Sequence, residues 1–350
     1  METGIWFALV TQSKHMLNWL NEKKTISEMN KLGHNNCPFL FVISFEKDKN
    51  LIIEERKLKD HQIGFDLPNY KFENLMLPKI NRITVLNPEI LEFEKYKQSF
   101  DFVKNEILKG NSFLTNLTVS SALGNNINLQ NIYNTSTSKY KLIIDDYFVC
   151  YSPEGFVSIS ENGKISSFPM KGTISSRIEN AKEIILNDQK ELFEHTTIVD
   201  LIRNDLSKIC EKVWVEKFRY IDEIKKQNGQ TLYQVSSEVS GYLPKNWKSN
   251  MGKLIMDLLP AGSISGAPKI KTLGIIKKAE KTLHKKGKRN HYTGIFGYFD
   301  GKSIYSGVMI RFIEKIGDEY FYKSGGGITF KSDGQKEYKE LIEKIYVPVL

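Results

Sequence analysis

The 350-residue chain is long enough for one large domain or two ordinary ones with a sizeable core. Its 40% apolar and 26% charged residues match a globular protein, and no apolar run nears the roughly 20 residues of a membrane span, which excludes a membrane-spanning helix. The formal charge of +9 comes from basic residues spread along the chain, which reads first as a Lys- and Asn-rich composition and second as attraction for an anionic substrate or nucleic acid.

The first residues, METGIW, carry no basic region and no small-residue cleavage site, and the apolar run Ile5–Val10 is short, so no secretory leader is expected. Cys37, Cys150 and Cys210 are odd in number and form no C-x-x-C. They argue against a disulfide framework or a zinc site and point to a reducing, cytoplasmic location. Residues 1–85 mix strand-like runs, Phe39–Phe45 and Leu51–Glu54, with Asn- and Lys-rich segments and hold no usable motif. They are expected to form a short N-terminal region integrated into the same fold as residues 86–350.

From Leu91 the text becomes regular. Leu91–Leu108 predicts an amphipathic helix closing at Gly110, and Phe113–Ser121, Phe148–Tyr151, Phe156–Ser160 and Lys164–Phe168 predict strands. Glu161–Gly163 predicts a hairpin turn on Asn-Gly. Next comes SFPMKGTISSR, in which Lys171 stands between Pro169 and Gly172–Thr173. It reads either as a surface charge on a tight turn or as a reactive amine. Ala181–Cys210 has apolar residues at helical spacing, and helices are expected around Leu254–Leu259 and from Pro268, a favoured first helical residue. The run HKKGKR, His284–Arg289, predicts an exposed loop. Strands are expected at Gly294–Phe299 and Ser303–Phe312 around the turn Asp300–Gly301, and at Tyr320–Lys323, followed by a glycine loop and a C-terminal helix from about Asp333. Strands and helices do not alternate in βαβ units, which favours an α+β fold.

Gly301–Lys302–Ser303 imitates the tail of a phosphate loop, but Phe296 stands where that loop needs glycine. Two carboxylate pairs carry more. Glu191 with Glu194, and Glu337 with Glu340, are each three apart and so share a helix face; Lys344 follows on the face of the second pair. Two such faces would suit a hard divalent cation such as magnesium, but on spacing alone ordinary solvated charge is the better explanation, since such pairs are common. PAGSISGAPK and SGGGIT offer backbone N–H groups suited to carboxylates, or plain turns.

Together, PMKGT, EHTTIVDLIRNDLSKIC, PAGSISGAPKIKTLGII, YTGIFGYF, VMIRF and SGGGIT-x-x-S-D-x-x-x-E-Y-x-E-L-x-x-K resemble the chorismate-utilising enzymes, in order, from about Gln98 onward. That resemblance implies two large, mostly antiparallel sheets packed as a sandwich with flanking helices and the site between them, with 86–350 as the chorismate-binding catalytic domain. It implies magnesium held by Glu194 and Glu340 directly and by Glu191 and Glu337 through water, gripping the ring carboxylate of chorismate, with Lys344 neutralising that side. It implies Tyr292, Arg311 and the amides of Gly325, Gly326 and Gly327 on the enolpyruvyl carboxylate, and Glu154 as the general acid for the leaving 4-hydroxyl.

Within the family the residue before Gly-Thr sorts the reactions. Lysine there resembles the aminodeoxychorismate synthases, so Lys171 is expected to be a covalent nucleophile feeding para-aminobenzoate and folate synthesis, with Gly172 and Thr173 expected among the substrate-binding residues. Anthranilate synthase component I is the alternative. Leu114 stands where isochorismate-forming relatives carry a water-activating lysine. No glutaminase motif is visible, so ammonia is expected from a separate glutamine amidotransferase subunit or from free ammonium.

Overall fold

Phe39–Ile43 shows how the core is built. Phe39, Phe41 and Ile43 point to one side of their sheet and join Met29, Trp247, Met251 and Ile255, while Leu40 and Val42 point to the other and join Phe65, Leu142, Phe148 and Phe296. All five are buried, as side-chain alternation requires of a strand covered on both faces. The computed structural model describes residues 16–76, 84–225 and 231–348. The METGIW stretch and the Ile5–Val10 run lie outside the described residues.

Two sheets result. In the first, the order is Met170–Ser175, Thr231–Tyr242, Lys164–Ser167, Gly155–Ile159, Ile304–Val308, Ile295–Phe299, Phe39–Ile43 and Leu51–Glu54, with Lys212–Lys225 also pairing Thr231–Tyr242. In the second it is Gly266–Ala267, Leu114–Gly124, Glu319–Ile328, Phe312–Ile316, Phe148–Ser152, Tyr140–Ile144, Ile63–Leu67 and Tyr70–Asn74. Every strand pairing among the described residues is antiparallel. The sheets face each other across Leu40, Val42, Phe65, Leu142, Phe148, Phe296 and Phe312. Each fully buried side chain of this size stabilises by about 1.5–3 kcal/mol. Helices Glu22–His34, Gln189–Leu206 and Trp247–Leu258 cover the outer face of the first sheet. Phe93–Leu108, Lys269–Ala279 and Gly334–Glu343 cover that of the second through Tyr96, Phe100, Val103, Ile275 and Leu341. The fold is the expected α+β sandwich.

Four local expectations change. The helical pattern Ala181–Cys210 divides into Ala181–Asn187 and Gln189–Leu206, because Asp188 turns extended and its carboxylate accepts the Glu191 N–H at 2.9 Å, starting a new helix. Ser303–Phe312 is not one strand: Ile304–Val308 belongs to the first sheet and Phe312 opens a strand of the second. The glycines 325–327 are not a loop but the continuation of the strand Glu319–Ile328, paired with Asn116–Thr118. The run His284–Arg289 is not simply exposed. Arg289 is 1% exposed, donates to both oxygens of Glu280 at 2.8 and 2.6 Å, and stacks on Phe45. Removing one partner of such a buried pair costs about 3–5 kcal/mol. Lys285, Lys286 and Lys288 of the same run remain exposed, with Lys285 facing Glu319 and Lys288 facing Asp48.

His291 and His284 are also buried. His291 stacks on Phe148 at 4.9 Å between ring centres, and its Nε2 meets the Lys49 carbonyl at 2.9 Å. Burial first, and then the Lys49 charge, push His291 down to about 3, and burial with Lys323 and Arg289 pushes His284 well below the ordinary range. Both stay neutral in the fold while the unfolded chain takes up protons below about pH 6.5. Stability is therefore full above pH 6.5 and falls below it by about 1.4 kcal/mol per pH unit for each histidine. Urea midpoints measured from pH 7 to pH 4.5 should fall less steeply in His291→Phe than in the wild type.

Candidate active site

Lys171 lies in neither a turn nor a regular ladder. The pairing of Met170–Ser175 with Thr231–Tyr242 shifts register between Met170 and Thr173, and Gly172 has φ +79°. This is a bulge with a left-handed glycine, a device that re-aims one side chain out of the strand's alternation. A Cβ on Gly172 would lie 2.9 Å from Glu191 Oε2, so the bulge also seats the helix Gln189–Leu206 against the strand. Lys171 Nζ meets Glu194 Oε2 at 2.8 Å, with the lysine side chain 37% exposed. Burial pulls the amine's pKa down, but Glu194, Glu191 and Glu340 together hold it above the ordinary lysine value. The expected depression by burial is thus outweighed here by carboxylates from two separate helices.

Glu154 follows Ser152–Pro153 and is fixed at its backbone, its N–H reaching Ser152 Oγ at 3.1 Å and its carbonyl accepting the Val308 N–H at 3.0 Å. Ser263, from the PAGSISGAPK segment, donates to Glu154 Oε1. Burial raises the carboxyl above the usual range against the opposing pull of Ser263, Arg311 and Lys171. Ser263 is a site residue the sequence reading did not single out; its segment was noted only for its amides.

Arg311 sits where the chain passes from the first sheet to the second, with φ +51°. Outside glycine this conformation is uncommon and is kept where surrounding contacts enforce it. Tyr292 is 4% exposed, and the neighbouring Thr293 receives a hydrogen bond from Arg289 at 3.2 Å. Past Lys323 the glycines lose the partner strand Phe312–Ile316, so one side of Gly325–Gly327 is unpaired by any strand. Alternate N–H groups of an antiparallel strand point that way.

One cavity of about 1210 Å³ is walled by Glu154, Lys171, Glu194, Tyr292, Arg311, Gly325, Gly326, Gly327 and Lys344. Gly172, Thr173, Glu191, Glu337 and Glu340 are not part of its wall. Thr173 is exposed and paired to Gln234, away from where substrate contact was expected. Glu340 is paired with Lys344 at 2.8 Å, and Lys344 also donates to the Gly325 carbonyl at 3.0 Å. A Cβ on Gly326 would meet Glu337 Oε2 at 3.5 Å and Lys344 Nζ at 3.7 Å. Behind Glu194, His195 is 1% exposed with Nε2 2.6 Å from Ser237 Oγ, and burial, then Arg219 and Lys171, hold it down at about 4.

The family profile described as chorismate binding enzyme matches residues 73–349, a stretch containing every residue of the cavity wall. The chain belongs to the chorismate-binding enzyme family. Among its relatives, an uncharacterised PabA-like protein of Haemophilus influenzae is 46% identical over 331 residues, covering 93% of this chain and 96% of that protein. The aminodeoxychorismate synthase component 1 of Bacillus subtilis is 30% identical over 268 residues, covering 72% of this chain and 54% of that protein. Among solved structures, the menaquinone-specific isochorismate synthase of Escherichia coli matches with a TM-score of 0.69 at 13% identity, covering 93% of this chain and 82% of that one, a likeness of fold.

Magnesium is the cofactor expected from the sequence motifs. No group of three or more His, Cys, Asp or Glu side chains among the described residues is gathered to hold a metal. Yet Glu194, Glu191 and Glu340 all act on the single cation Lys171. Such all-oxygen donors are the kind a hard divalent ion takes. No helix among the described residues is long and apolar enough to cross a membrane.

Proposed function

We propose that this chorismate-binding enzyme is the ammonia-dependent component of an aminodeoxychorismate synthase, making 4-amino-4-deoxychorismate for para-aminobenzoate and folate synthesis. The observation that carries the reading is that Lys171 and Glu154 open into the same cavity as Arg311 and the unpaired side of Gly325–Gly327. The Bacillus subtilis relative supports it. Arg311 would take the enolpyruvyl carboxylate through charge-assisted bonds, with Tyr292 and the glycine amides. Once its proton has passed to solvent, the neutral Lys171 amine attacks C2 of chorismate, the ring double bonds shift, and the C4 hydroxyl departs as water with the proton of Glu154, leaving a secondary ammonium at C2. Ammonia then bonds at C4, the double bonds shift back, and the C2–N bond breaks to release Lys171. Two assisted substitutions replace one difficult one. Magnesium on Glu194 and Glu340, with Glu191 and Glu337 behind them, would offset the charge of the ring carboxylate and of the acids that hold Lys171 protonated.

Leu108, Phe113, Phe193, Ile270 and Phe330 also wall the cavity, yet are 51–90% exposed. Clustered exposed apolar residues mark interaction surfaces. This rim would receive a glutamine amidotransferase that delivers ammonia without contact with bulk water. The deciding experiment incubates the purified protein with chorismate, magnesium and ammonium, adds an aminodeoxychorismate lyase, and measures para-aminobenzoate. Anthranilate formed without the lyase would instead establish an anthranilate synthase component I.

The bulge gives a sharper check. Gly172→Ala forces an alanine into φ +79° and a methyl against Glu191, moving Lys171 from its aim. The rate should fall on the order of 10- to 100-fold, as small misplacements do. The thermal midpoint should drop by only a few degrees, since the strain is on the order of 1–2 kcal/mol.

A further inference from the structure

We propose that Tyr346 is the positioning residue for Arg311, its ring serving as the platform that aims the guanidinium into the cavity; this rests on the reading of Arg311 as the binder of a substrate carboxylate. Arg311 lies between strands of two different sheets with a left-handed backbone, so neither ladder fixes the direction of its side chain. Among the described residues no carboxylate pairs with it at ion-pair distance. Its guanidinium carbon instead lies 5.2 Å from the centre of the Tyr346 ring. An arginine side chain has much rotamer freedom to lose, and an aromatic face both restricts and attracts it.

The platform is itself anchored. Tyr151 and Tyr322 are fully buried, and each hydroxyl lies 3.2 Å from the Tyr346 carbonyl, with Tyr322 also 2.8 Å from the Lys344 carbonyl. On the far side, the Thr137 N–H donates to the Pro348 carbonyl at 2.8 Å. Tyr151 joins both halves of the device: its N–H donates to the Arg311 carbonyl at 3.1 Å, while its hydroxyl holds Tyr346. Lys344, two residues before Tyr346, is part of the cavity wall. The segment 344–346 is therefore one rigid piece of the site. The Tyr346 ring is 46% exposed, so its removal takes little from the core.

The test compares Tyr346→Ala, Tyr346→Phe and Arg311→Lys in the full chain. Tyr346→Ala should raise the Kd and KM for chorismate about tenfold, within the range an arginine–aromatic contact supplies, with kcat changed less than about twofold. Tyr346→Phe keeps the ring face but loses the hydroxyl that also interacts with Arg311, so it should lose clearly less affinity than Tyr346→Ala. Tyr346→Ala added to Arg311→Lys should cost little more than Arg311→Lys alone. The Arg311 Nε–Hε NMR signal, assigned by its loss in Arg311→Lys, should be rigid and ring-current shifted, and should lose both properties in Tyr346→Ala. Unchanged binding in Tyr346→Ala, fully additive losses, or a signal indifferent to Tyr346 would each overturn the proposal. A wild-type protein that ignores chorismate while the signal behaves as described counts against the substrate, and the Tyr346–Arg311 contact stands.

Discussion

Lys171→Ala is expected to lower aminodeoxychorismate formation on the order of 10³-fold or more, the scale of removing a covalent nucleophile. The fold should survive. The Lys171–Glu194 pair is partly exposed, with side chains 37% and 18% accessible, and pairs so open to water are worth about 0–1 kcal/mol. Lys171→Arg makes the prediction specific. A guanidinium keeps the positive charge facing Glu194, Glu191 and Glu340 but stays protonated and does not attack carbon. If the lysine were only a counter-ion for the acids, Lys171→Arg would recover most of the rate. As a nucleophile it should leave Arg nearly as inactive as Ala in the lyase-coupled para-aminobenzoate assay. Recovery to within about tenfold of the wild type would end the covalent mechanism.

What could be read from the sequence was what is written locally. Phe39–Phe45 and Leu51–Glu54 announce themselves by residue type and occur as the strands Phe39–Ile43 and Leu51–Glu54, and the helix expected from Leu91 occurs as Phe93–Leu108. The Gly301–Lys302–Ser303 segment is the hairpin it was taken for, between Ile295–Phe299 and Ile304–Val308. Two failures share a cause, which is a distant partner. Glycines at 325–327 signal a loop until the strand Leu114–Gly124 supplies their ladder. Arg289 looks like one charge in a basic loop until Glu280 and the carbonyls of Ile264 and Asn116 converge on it. The helix Glu22–His34, capped by Asn21, was hidden because its buried face is little more than Thr25, Met29 and Leu32. At the site the motifs named residues but not their orientation. Lys171 depends on a register shift, Arg311 on a change of sheet, and Glu154 on Ser263, which is 109 positions away.

Glu154→Gln should lower the rate on the order of 10²–10⁴-fold, the usual range for a general acid, because the amide cannot deliver a proton to the departing hydroxyl. The pH dependence carries the sign. Burial, the largest influence, holds the Glu154 carboxyl above its ordinary value, so the protonated form persists further toward neutrality. The working form is the protonated one, and the rate should fall as pH rises through that pKa. Ser263 pulls the other way by donating to the carboxylate. Ser263→Ala removes that stabilisation of the charged form, so the pKa rises further and the alkaline limb of kcat moves to higher pH. Glu154→Gln, having no proton to lose, should show no such limb. A limb that stays in place in Ser263→Ala, or persists in Glu154→Gln, would assign the proton to another group facing the cavity.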